Sequence, residues 1–185
     1  MDNINRRKFI GTAALAGIGL AGAGAIISGC KKKVDNKELG LAPVLRGAPK
    51  GKKLRAALVG AGARGTGAAI NFISAGPDLE IVAVADVFQD KIDACRARFA
   101  SFDLPIPAEN CFTGFDGYKK VIALPDVDVV LLTTPPQFRP DHFLEAVIKG
   151  KHVFLEKPVA VDPAGIRSII TSAKKAESVG LNVVT

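Results

Sequence analysis

The stretch Leu54-Arg55-Ala56-Ala57-Leu58-Val59, followed at once by Gly60-Ala61-Gly62-Ala63-Arg64-Gly65, constrains this chain more than any other. The apolar run predicts a strand, and glycines spaced G-x-G-x-x-G predict that it turns directly into a helix. Each glycine has its own reason to be there. Gly60 permits the tight turn, Gly62 lets a pyrophosphate approach the backbone, and Gly65 lets the helix pack closely on the strand. The free N–H groups of the helix start, Ala63 included, then face the phosphates at the positive end of the helix dipole. Arg64 is read either as a pyrophosphate contact or as a surface residue. A second predicted strand, Glu80–Ala85, ends in Asp86, which lies 21 positions after Gly65. A ribose-binding carboxylate belongs at that distance. Asp86 favours NAD over NADP, because it accepts from both ribose hydroxyls and repels a 2′-phosphate. No arginine follows it directly, since Val87-Phe88-Gln89 come next.

Beyond this elbow, strand and helix patterns alternate. Predicted strands cover about Leu54–Val59, Glu80–Asp86, Cys111–Thr113, Asp128–Thr133, His152–Glu156 and Leu181–Val184. Predicted helices cover about Arg64–Ala75, Gln89–Phe102, Gly117–Ala123, Asp141–Lys149 and a segment capped by Asp162 and running to Ser178. Asp103–Asn110 reads as a proline-interrupted loop. An alternation of this kind demands a parallel sheet with right-handed crossovers. Six strands match a complete Rossmann sheet, so the fold class expected for residues 54–185 is α/β, a doubly wound parallel sheet that binds NAD(P). The last predicted strand runs almost to Thr185. A fragment lacking a C-terminal substrate domain is therefore expected.

The first thirty residues are set aside from the fold. Asn5-Arg6-Arg7-Lys8-Phe9-Ile10 matches a twin-arginine export signal, with Asn where Ser or Thr is usual. Phe9–Ile27 is apolar, and Ile27-Ser28-Gly29-Cys30 resembles a lipobox, whose cysteine would carry a lipid anchor. The alternative is a membrane-spanning anchor, which the five glycines of the run weaken. Export to the periplasm and anchoring at Cys30 are expected, followed by a flexible basic linker over residues 31–53. Lys31-Lys32-Lys33 is either a contact for anionic lipid or a solvated tether.

Charge follows the same division. The formal net charge is +2 over residues 1–30, +7 over 31–55 and −2 over 56–185. The folded part is thus mildly acidic, which argues against a nucleic-acid partner. Cys95 and Cys111 lack metal-ligand spacing, so no metal site is expected. An exported chain permits a disulfide between them, and buried free thiols are the favoured reading.

A second cluster is Asp128-Val129-Val130-Leu131-Leu132-Thr133-Thr134-Pro135-Pro136, then Gly150-Lys151-His152-Val153-Phe154-Leu155-Glu156-Lys157-Pro158. Together with the glycine motif, these segments resemble the glucose–fructose oxidoreductase/inositol dehydrogenase family (Gfo/Idh/MocA) over roughly residues 53–185. The resemblance implies a catalytic Lys157 beside the nicotinamide and the substrate carbinol, with Pro158 fixing the turn that aims it. Glu156 either orients Lys157 or bonds the cofactor, and Thr133, Thr134 and Pro135 lie along the cofactor. His142 is read as capping or packing and His152 as structural. The resemblance also implies hydride transfer between NAD(P) and a sugar or polyol. One alternative is an NAD-dependent glycoside hydrolase of the α-N-acetylgalactosaminidase type, in which transient oxidation permits elimination of the leaving group. The other is a non-catalytic dinucleotide-binding module. In this family the remaining acid/base groups and the dimer surface come from a second domain, so oligomers are expected only where that domain is present. A periplasmic enzyme must retain and regenerate its cofactor, so tight binding is expected.

Overall fold

The computed structural model describes Gly51 and residues 53–185. The expected export signal, lipobox and most of the linker lie outside the described residues. Six parallel strands, β1 (Leu54–Val59), β2 (Leu79–Asp86), β3 (Cys111–Thr113), β4 (Val129–Leu132), β5 (His152–Leu155) and β6 (Val183–Val184), form one sheet in the order β3-β2-β1-β4-β5-β6. This is the doubly wound order in which the crevice opens between β1 and β4, where the winding reverses. Helices α1 (Ala63–Ser74), α2 (Gln89–Ala100), α3 (Gly117–Ile122), α4 (Arg139–Ile148) and α5 (Pro163–Ser178) make the crossovers.

Both sheet faces are covered, so neighbouring residues of one strand feed opposite cores. Ala57, Val59, Val130, Leu132, Val153 and Leu155 pack on one side with Phe143 and Ile169. Ala56, Leu58, Val84 and Leu131 pack on the other with Ile92 and Phe99. That is why the central strands read as unbroken apolar runs. β5 is less buried than its neighbours: His152 and Phe154 are only half-buried. His152 Nδ1 accepts the Asn182 N–H at 2.9 Å and so joins the start of β5 to the segment entering β6.

Element boundaries shift by one or two residues. α2 stops at Ala100 rather than Phe102, where the chain enters a turn leading to Asp103 at a φ of 59°. Ala108–Asn110, expected as loop, forms one turn of 3₁₀-helix. α4 begins at Arg139, two residues before the expected Asp141, because Pro140 is tolerated in a first helical turn that needs no N–H from it. Asp162 caps α5, its Oδ1 accepting the Gly165 N–H at 2.6 Å. Cys95 and Cys111 are free thiols. Among the described residues no helix is long and apolar enough to cross a membrane, and no group of His, Cys, Asp or Glu could hold a metal ion.

Candidate dinucleotide site

The elbow between β1 and α1 is built by contacts that only glycine allows at two positions. Gly60 has a φ of 98°, and a Cβ there would come within 2.8 Å of Thr134 N. A Cβ on Gly65 would lie 1.8 Å from the Gly60 carbonyl oxygen. Thr133, at the end of β4, locks the turn by donating its hydroxyl to the Gly60 oxygen at 2.7 Å. Gly62 is different. Its φ is −66°, and a Cβ on it would meet nothing within 4 Å. The position is open to solvent, at a helix N-cap, where glycine is among the favoured residues. Gly62 immediately precedes α1, whose first N–H groups lack partners inside the helix and attract anions.

Asp86 ends β2 with both carboxylate oxygens on backbone amides. Oδ2 accepts from Ala61 at 2.6 Å and Oδ1 from Phe88 at 3.0 Å. The carboxylate is therefore a fixed acceptor beside the glycine turn. It lines a cavity of about 610 Å³ together with Gly60, Gly62, Thr133, Thr134 and Pro135. The far wall is aromatic. Tyr118 from α3 stacks on His142 from α4 with ring centroids 4.0 Å apart, and Phe138 lies 6.1 Å from the same imidazole. His142 is buried, and its Nδ1 lies 3.2 Å from the Thr134 hydroxyl. Burial pushes its pKa down to about 4 against the opposing charge of Asp141, so the ring is neutral at pH 7. The sequence gives no hint of Tyr118, whose place in the wall follows from the packing of α3 beside α4.

Ala63, Arg64, Gly65, Glu156 and Lys157, the other expected site residues, lie outside this cavity wall. Arg64 is exposed, as the surface reading expects, and its Nη2 lies 2.5 Å from Glu156 Oε2. The pair ties the mostly buried Glu156 carboxylate to an exposed guanidinium. Glu156 thus spans from β5 to the first turn of α1, and no contact to Lys157 is seen. Lys157 is exposed, in the turn after β5, and precedes a cis bond to Pro158.

Arg139 escaped the sequence reading. It is 5% exposed, and its Nε donates to Thr134 O at 2.7 Å while Nη1 donates to both Glu156 O and Pro158 O. One signal was available. Arg139 stands at the first position of α4, where a cation opposes the helix dipole and so needs another reason to be there.

The open space at Gly62 and the fixed acceptor Asp86 beside the start of α1 fit a dinucleotide. Comparison with known proteins decides the matter: residues 54–183 match the oxidoreductase family with an NAD-binding Rossmann fold (GFO_IDH_MocA). The chain belongs to this family. Its fold is an NAD-binding Rossmann domain, with NAD favoured over NADP. Two curated relatives are glycosyl hydrolase family 109 proteins, 28% identical in Shewanella baltica and 29% in another Shewanella, each matched over 96% of this chain and 38% of its own length. The chain therefore spans well under half of these relatives. Among solved structures, an NAD-binding protein from Listeria innocua is 28% identical at a TM-score of 0.56, covering 71% of this chain and 34% of that one. The aldose-aldose oxidoreductase from Caulobacter crescentus is 25% identical at a TM-score of 0.55, covering 68% and 36%.

Proposed function

We propose that this chain is the NAD-binding portion of an exported glycoside hydrolase that works through transient oxidation of its sugar substrate. The NAD part is supported by Gly62, Asp86 and the turn bearing Lys157 all following the C-terminal ends of neighbouring parallel strands, with Arg64 paired to Glu156 between them. The hydrolase part is supported by the curated relatives, which carry the family 109 description.

The N–H groups of Gly62, Ala63, Arg64 and Gly65 would receive the pyrophosphate, with Gly60 making the turn. Asp86 would hold the adenosine ribose, and Thr134 and Pro135 would border the cofactor. Thr133 would act through the turn, because its hydroxyl is committed to the Gly60 oxygen. Glu156, held by Arg64, would accept a hydroxyl or amide proton of the nicotinamide half with its remaining lone pairs. NAD, when bound, supplies reversible hydride removal from the sugar carbon, which acidifies the adjacent C–H and lets the leaving group depart. Lys157 would be the catalytic residue of this chain, its ammonium hydrogen-bonding the carbinol oxygen and stabilising charge that develops there.

The deciding experiment supplies an aryl α-N-acetylgalactosaminide to the full-length protein. Release of the aryl alcohol without net NADH accumulation is the expected result. NADH accumulation on adding a sugar or polyol would instead favour a net oxidoreductase, the reading that the aldose-aldose oxidoreductase supports. NAD binding with neither reaction would leave a non-catalytic binding module.

Export by the twin-arginine route and anchoring at Cys30 in the periplasm belong to the same proposal. Their support is the motif at residues 5–10 and the lipobox ending at Cys30. That route moves folded proteins, so the cofactor can be loaded before export.

A further inference from the structure

Arg139 is a buried cation at the positive end of a helix, where both lost hydration and the dipole oppose it. Fold stability alone gives a poor account of it. Its three hydrogen bonds all go to backbone carbonyl oxygens, and these belong to two separate loops. Thr134 O lies at the end of β4. Glu156 O and Pro158 O belong to the residues on either side of Lys157, and one nitrogen, Nη1, holds both. Among the described residues the other buried cation, Lys151, donates to Leu124 O at 2.9 Å and Val127 O at 2.7 Å. Lys151 precedes β5, at the edge of the sheet opposite the glycine elbow, so carbonyl capping there serves the fold. Arg139 does its capping at the crevice edge.

We propose that Arg139 is a positioning residue for Lys157: by bracketing the lysine between two held carbonyls and tying both to the end of β4, it fixes the turn from which the lysine meets the nicotinamide. The planar guanidinium suits this task because its donors diverge in a fixed fork, which an ammonium cannot copy. The inference rests on the proposed place of Lys157 beside the nicotinamide.

The test reads Lys157 directly, with no need for turnover. Lysines of the full chain are reductively methylated with ¹³C-formaldehyde, and the Lys157 signal is assigned by its loss in Lys157→Arg. In the wild type, saturating NAD displaces this signal by more than its linewidth. In Arg139→Lys, NAD affinity stays within about threefold while the NAD-induced shift falls to less than about half. A full shift in Arg139→Lys overturns the proposal. So does parallel loss of NAD affinity and shift, which would make Arg139 a support of the whole site. Should the wild-type signal ignore bound NAD, the assignment of Lys157 to the nicotinamide fails first, and this inference falls with it. If Arg139→Lys does not fold, Arg139→Gln, whose amide can keep the bond to Thr134 O, is judged by the same outcomes.

Discussion

Asp86 holds Ala61: the carboxylate at the end of β2 accepts the backbone N–H in the middle of the glycine turn at 2.6 Å. The residue expected to read the ribose therefore also braces the loop expected to cradle the phosphates. A charge-assisted bond of this sort contributes about 1.5–3 kcal/mol. Asp86→Ala should lower stability by about that amount and weaken NAD binding by more than about tenfold, since both halves of the site loosen. Calorimetric titration with NAD and NADP checks it. Asp86→Ser should also narrow the preference for NAD over NADP.

Gly62 and Gly65 should respond in opposite ways to the same substitution. Gly62→Ala meets empty space in the protein, so its stability should stay within about 1 kcal/mol, the scale of a changed helix cap. NAD binding should nonetheless be lost. Gly65→Ala drives a methyl into the Gly60 carbonyl, and the domain should fail to fold. Thermal melting and NAD titration together separate the two.

His142 should impose an acid limit on stability. Its folded pKa of about 4 lies below the ordinary value of 6.5, so above pH 6.5 both folded and unfolded rings are neutral and contribute nothing. Between 6.5 and 4 the unfolded chain takes up a proton that the folded one refuses, and stability falls with pH. The loss from this group is about 3 kcal/mol at most. Urea unfolding across that range should show a steeper decline in the wild type than in His142→Asn.

Lys157→Met in the full-length protein should keep NAD affinity within about threefold and reduce kcat about 100-fold or more. Equal loss of cofactor binding and turnover would contradict a role at the reacting carbon. Titration of NADH fluorescence beside steady-state kinetics distinguishes the cases.

Export should depend on two places. Arg6→Lys with Arg7→Lys should retain the protein in the cytoplasm, and Cys30→Ser should abolish lipid attachment. Cell fractionation and palmitate labelling read these outcomes.

The fold was legible because buried parallel strands have no polar face to disguise them. The expected bounds of Leu54–Val59, buried from Ala56 onward, match the structure to the residue. The glycine elbow was legible because strain and close approach leave few alternatives at Gly60 and Gly65. Arg139 was not, because its partners are carbonyl oxygens that carry no sequence signal. The pairing of Arg64 with Glu156 was hidden for a related reason: residues 92 positions apart meet only once α1 and β5 are both in place. The aromatic wall of Tyr118, Phe138 and His142 joins two helices whose separate patterns say nothing about each other.

Strand order has a consequence for biosynthesis. β1 is flanked by β2 and β4, and β4 by β5, so the elbow, Asp86 and the lysine turn become neighbours only when the middle of the sheet is complete. A nascent chain that has emerged as far as β3 already owns the glycine loop and Asp86, but it lacks Thr133 to lock the turn and Glu156 to meet Arg64. A dinucleotide site of this design is therefore complete only once the chain through Pro158 has folded.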